Sequence, residues 1–230
     1  MTASVATKPT IATTSGGPPV TTLATRVRDR AKATPRQIAM RQKDLGIWQE
    51  VTWASYWDTV LTVGHALLAL GIEPGDRVAI HSENRREWLF TDVATVAVRA
   101  ATVGLYPTNP APEVQYLLSH SGAKVLVVED QEQLDKALAV LDECPDLQRI
   151  VYVDPKGIRN RYHHPKLLSW DEFLALGAEH RAANPGAVEE RMAQATPDDI
   201  ATLIYTSGTT GRPKGAMLSI ANVEFAIQVL

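Results

Sequence analysis

Sulfur is nearly absent from this chain: Cys144 is the single cysteine among 230 residues. One thiol closes no intrachain disulfide and builds no cysteine-rich metal cage, so stapled secreted folds and zinc ribbons are excluded. Its setting, near the end of a helical pattern, carries no reactive signature. Long apolar runs are missing too. No stretch reaches the ~18 uninterrupted apolar residues of a spanning helix, and the most apolar one, Val93 to Leu105, is broken by Arg99. The opening MTASVATKPTIATTSGGPPV lacks the apolar segment of ~7–15 residues that a secretory signal needs. Its Thr, Ala, Ser, Gly and Pro content predicts a disordered tail over residues 1–20. Charge of one sign is also lacking: 23 basic against 26 acidic side chains leave −3. That balance gives no global attraction to nucleic acid or an anionic membrane.

What is present is a rhythm. From Thr21 a short helical pattern (Leu23, Val27) runs to Pro35. Two extended pieces, Gln37–Arg41 and Ile47–Val51, flank Lys43-Asp44-Leu45-Gly46, and this predicts a β-hairpin with Gly46 at positive φ. Thr52 is placed to cap the next helix and Gly71 to end it. Short apolar strands then alternate with helices: Arg77–His81, a helix opening at Asn84, Thr102–Tyr106, Ala111 to about His120, Lys124–Val128, Gln131–Leu141, Arg149–Val153, and a helix Asp171–Arg181. A polar linker ends at Thr196-Pro197 before the strand Ile200–Tyr205. The pattern predicts an α/β fold, a largely parallel sheet with helices on both faces.

Two polar features compete for a role. Residues 156–166, KGIRNRYHHPK, form a basic loop. A solvated surface is the ordinary reading, and contact with phosphate or lipid headgroups is the functional one. A nucleic-acid interface would rest on this loop and Tyr162 alone, within a net acidic chain, and is not expected. His163 and His164 are adjacent, so their side chains diverge and make no metal pair. His65, His81, His120 and His180 carry no motif.

The informative segment is Asp199–Gly215, DIATLIYTSGTTGRPKG. An apolar strand runs directly into glycines, hydroxyls and a lysine. Gly208, Gly211 and Gly215 let the backbone turn sharply and bring N–H groups close to anionic oxygens. Thr206, Ser207, Thr209 and Thr210 add hydroxyl donors that also serve as oxygen ligands for Mg²⁺. Lys214 adds a charge, and charge-assisted hydrogen bonds are the strong ones. The Walker A spacing is not met, because Gly208 and Gly211 stand too close and Gly follows Lys214. The dinucleotide pattern of glycines opening a helix is absent as well. A flexible linker would not follow a buried strand so directly.

YTSGTTGRPKG, preceded by DDIATLI, resembles the signature loop of the adenylate-forming (AMP-binding) enzymes, which include acyl-CoA synthetases, aryl-CoA ligases, luciferases and peptide-synthetase adenylation domains. GIEPGDRVAIHSENRREWLFTDVA and GLYPTNPAPEVQYLLSHSGAKVLVVED resemble the amino-terminal sheet of the same family. The likeness covers roughly residues 21–230, the amino-terminal portion of the acetyl-CoA-synthetase-like large domain. Tyr106-Pro107-Thr108 and the later loop look most like long-chain fatty acyl-CoA ligases, with aryl- and short-chain acid ligases as the nearest rivals.

The resemblance implies that Thr206 through Gly211 wrap the β- and γ-phosphates of ATP. Lys214 and Thr209 would assist departure of pyrophosphate, and Thr206 would supply a hydroxyl toward Mg²⁺. A carboxylate would then become an acyl-adenylate, and coenzyme A would take the acyl group. Helix Ser219–Leu230, capped by Ser219, would begin the wall of the acid pocket. One departure stands out: Ile220 occupies a position where the family often has His. The apolar helical pattern is still running at Leu230, so the chain reads as the front of a longer protein, inactive by itself. A catalytically incompetent piece that binds only nucleotide or a partner chain is the alternative. The expected compartment is the cytoplasm, with peripheral membrane contact open through the basic loop.

Overall fold

Alternating valines let one sheet serve two cores. In Val125–Val128, Val125 and Val127 join one buried cluster while Leu126 and Val128 join another. Successive side chains of a strand point to opposite faces. The computed structural model describes residues 20–206 and 211–229. The expected tail, apart from Val20, and Ser207–Thr210 and Leu230 lie outside the described residues.

Helix α1 (Leu23–Ala33) leads into the hairpin β1 (Ile38–Asp44) and β2 (Ile47–Thr52). The hairpin turns on Leu45 and Gly46, both at positive φ, as a tight two-residue turn requires. Helix α2 (Trp53–Ala69) follows, with Thr52 as its cap and Gly71 at φ 78° beyond its end. Then come β3 (Arg77–His81), α3 (Arg86–Ala97), β4 (Ala101–Leu105), α4 (Ala111–Ser121), β5 (Val125–Val128) and α5 (Gln131–Ala139). Next are β6 (Arg149–Tyr152), β7 (Leu167–Ser169), α6 (Trp170–Ala183), α7 (Ala187–Ala193), β8 (Ile200–Thr206), β9 (Lys214–Ser219) and α8 (Ile220–Val229).

The main sheet has the order β7-β6-β5-β3-β4-β8-β9. Its neighbours are parallel except for β8 with β9. One face is covered by α1, α2, α3, α6 and α7, the other by α4 and α5. This is the α/β architecture the strand and helix rhythm predicts.

Several expectations need correction. Helix α3 begins at Arg86 with Arg85 as its cap, because Asn84 sits in the preceding turn. Helix α5 ends at Ala139, and a separate 3-10 turn covers Leu141–Glu143. Strand β7 and helix α7 fall where only loop and polar linker were expected. Each is short and held by its neighbours: β7 pairs along β6, and α7 buries only Val188 and Met192. Strand β9 is the third addition, and it begins at Lys214, which was expected within the loop.

Candidate active site

Strand β8 is fixed at both ends before it delivers its loop. At its start, Arg99 donates to the Asp199 carboxylate through two nitrogens, at 2.7 and 3.1 Å. Arg99 is buried and Asp199 is largely covered. Burial alone would raise the Asp199 carboxyl, but hydrogen bonds from Arg99 and Thr196 outweigh it and hold the group below the usual carboxylate range. Arg99 itself takes a left-handed backbone at φ 63°. The charge that interrupts the apolar run at Val93–Leu105 thus serves as the anchor for β8.

Along the strand, Thr102 and Val103 of β4 align with Thr202 and Leu203. Because β8 is parallel to β4, its end lies at the carboxyl edge of the sheet, where open α/β folds receive ligands. The chain returns as β9, with Thr206 opposite Lys214 and Tyr205 opposite Gly215. Directly opposed residues of such a ladder share a face. The exposed Thr206 hydroxyl and the exposed Lys214 ammonium are therefore neighbours, at the two gateposts of the loop.

Lys214 is expected within the loop. It is instead the first residue of β9. Gly211 stands at φ 100°, a conformation that favours glycine. Gly215 has a different reason to be small: a Cβ there would stand 3.0 Å from the Tyr205 ring. Ser207, Gly208, Thr209 and Thr210, the centre of the expected phosphate cradle, lie outside the described residues.

Residues without any motif complete the surroundings. Tyr116 of α4 donates its hydroxyl to the Pro213 carbonyl at 2.9 Å, and the Arg212 guanidinium lies 5.1 Å from the centre of its ring. His120, one turn further on, shares a 2.8 Å hydrogen bond with the Tyr205 hydroxyl. Burial raises the Tyr205 phenol above its ordinary value. The spacing of four between Tyr116 and His120 was the available signal, since such residues share a helix face.

Behind β8, Ile220 is buried and lines a cavity of about 180 Å³ with Leu23, Trp88, Asp92, Val96 and Val223. Burial raises the Asp92 carboxyl. Ser219 caps α8 as expected, accepting from the Asn222 N–H at 3.3 Å. On α8 itself Phe225 and Val229 are exposed. Among the described residues no group of three or more His, Cys, Asp or Glu is placed to hold a metal ion.

The AMP-binding enzyme family model matches residues 27–230. The chain belongs to the AMP-binding enzyme family. A long-chain-fatty-acid–CoA ligase of Xenopus laevis is 32% identical over 188 residues, covering 82% of this chain and 25% of the relative. One of Mycobacterium bovis is 35% identical over 183 residues, covering 80% of this chain and 28% of the relative. The chain thus spans about a quarter of the length of these relatives. Among solved structures, an anthranilate CoA ligase in complex with anthranoyl-AMP superposes with a TM-score of 0.76 at 25% identity, over 92% of this chain and 37% of that one. The family match includes the whole of β8 and β9.

Proposed function

We propose that this chain supplies the polyphosphate-gripping portion of an enzyme that activates a carboxylic acid with ATP and passes the acyl group to coenzyme A. The observation that carries the reading is the β8–β9 hairpin, which sets Thr206 opposite Lys214 at the carboxyl edge of the sheet, on either side of the glycines and hydroxyls of the sequence. In the proposed reaction the carboxylate attacks the α-phosphorus of ATP, the bond to the bridging oxygen breaks, and pyrophosphate leaves. Backbone N–H groups, hydroxyls and the Lys214 ammonium offset the charge that builds on the leaving group. The thiol of coenzyme A then attacks the acyl carbon and AMP departs. A divalent ion arriving with the triphosphate takes oxygen ligands, and the exposed Thr206 hydroxyl fits such a shell beside phosphate and water oxygens.

Long-chain fatty acid is the acid we favour, supported by the names of the curated relatives. An aryl acid is the second reading, favoured by the neighbour that carries anthranoyl-AMP. The exposed apolar residues Phe225 and Val229 of α8 fit the first wall of an apolar acid site. In a protein carrying the remainder of the domain, Lys214→Ala and Thr209→Ala should slow adenylate formation more than thioester formation. Single-turnover rates of the two half-reactions decide this, and equal slowing of both contradicts it. The 230-residue chain alone should show no ATP–pyrophosphate exchange. Acid-dependent pyrophosphate release across a chain-length series separates fatty from aryl acids.

A further inference from the structure

We propose that α4 acts as a splint for the signature loop, with Tyr116 and His120 as positioning residues. The inference rests on the reading of that loop as the polyphosphate grip. The hairpin ladder pairs Thr206 with Lys214, and the sequence that joins them is rich in glycine and hydroxyls. Such a segment loses much conformational entropy when ordered, so whatever orders it in advance strengthens binding. One helix face reaches both arms of the hairpin.

On the return arm, the Tyr116 hydroxyl holds the Pro213 carbonyl at 2.9 Å and its ring carries Arg212. On the outgoing arm, His120 holds the Tyr205 hydroxyl at 2.8 Å. The Tyr116 and His120 rings lie 5.2 Å apart, and His120 meets Tyr205 edge-on at 5.7 Å. Arg212, Tyr116, His120 and Tyr205 thus form one ladder, and Gly215 closes against its last ring.

The splint is itself anchored. Gly122, at φ 63°, ends α4, and Arg77 of β3 donates to the carbonyls of Ser121 and Gly122. The contacts hold the Pro213 carbonyl on one side of the loop and the Tyr205 side chain on the other, while Thr206 and Lys214 face away from the Tyr205–Gly215 pair by strand alternation. Tyr116 and His120 therefore act through the loop's shape and touch no phosphate.

The test uses the chain with two probes, magnesium ATP and inorganic tripolyphosphate, and compares Tyr116→Phe, His120→Ala and His120→Asn with the parent. Tyr116→Phe keeps the ring and removes one hydrogen bond, worth about a fivefold change in an equilibrium. The expected result is faster hydrogen exchange confined to residues 211–216 in the free chain and about fivefold weaker binding of both probes, with the melting midpoint lowered by no more than the few degrees of one hydrogen bond. His120→Ala should do the same, and His120→Asn, whose amide replaces Nδ1, should restore parent behaviour.

Exchange at 211–216 unchanged in both Tyr116→Phe and His120→Ala overturns the proposal. So does faster exchange spread over the whole chain with a lowered midpoint. If the parent binds neither probe, the polyphosphate reading fails. The exchange comparison in the free chain still decides the splint.

Discussion

On one face of the sheet α6 lies so close to α2 that a Cβ on Gly177 would meet the Thr62 carbonyl oxygen at 2.1 Å. On the other face α4 reaches the β8–β9 hairpin through hydroxyls and an imidazole. The first contact depends on the absence of side-chain atoms and on apolar burial around Phe173 and Val60. The second is a set of directional hydrogen bonds to the β8–β9 hairpin. Close packing sets stability, and directional contacts set where a few backbone atoms stand. The two faces should therefore respond differently to substitution.

The largest separation is expected from Phe173→Ala. This side chain is fully buried, and its loss should remove about 3–5 kcal/mol of stability in urea unfolding. A loss below about 1 kcal/mol would break the contrast between the faces. Next comes pH. His81 is fully buried, and burial, aided by the nearby Lys136 charge, lowers its pKa to about 4. The unfolded chain takes up that proton near the ordinary value of 6.5. Stability is thus complete above pH 6.5 and falls as pH drops through the window to 4, by roughly 3 kcal/mol. His65, lowered by burial and by the facing His180, acts in the same direction. Unfolding curves at pH 7 and pH 4 measure the loss, and His81→Leu should flatten it.

Gly177→Ala should be intermediate, at about 1–3 kcal/mol for overpacking, since the obstacle is backbone rather than a movable side chain. Calorimetry measures it, and no loss would mean that α6 can lift from α2. Lys214→Ala is expected to shift the unfolding midpoint least, by under about 0.5 kcal/mol, as for an exposed residue away from the core. A large loss there would place the hairpin among the stabilising contacts instead of the functional ones.

The layered architecture was legible because short apolar strands and helices alternate from Arg77 to Tyr152. Turn chemistry located Thr52, Gly46 and Ser219 correctly. Three elements escaped for physical reasons. Strand β7 is only Leu167–Ser169, and helix α7 is held mainly by Val188 and Met192. Strand β9 alternates weakly, with Met217 exposed and Gly215 without a side chain to read. Its existence depends on pairing with β8, a tertiary event. The loop was found from its composition, but its supports were not. Tyr116 and His120 act 97 and 85 residues away in sequence from Pro213 and Tyr205, and Arg99 and Asp199 meet across 100 residues. No local pattern records such meetings.

The central claim, that the segment from Thr206 to Lys214 grips the phosphates of ATP, is met most directly by calorimetric titration of the chain with magnesium ATP. The comparison is between the parent and Thr209→Ala combined with Lys214→Ala. The account predicts binding by the parent and a loss of about tenfold or more in the double variant, since hydrogen bonds to charged groups contribute about 1.5–3 kcal/mol. Equal affinity of the two proteins would contradict it.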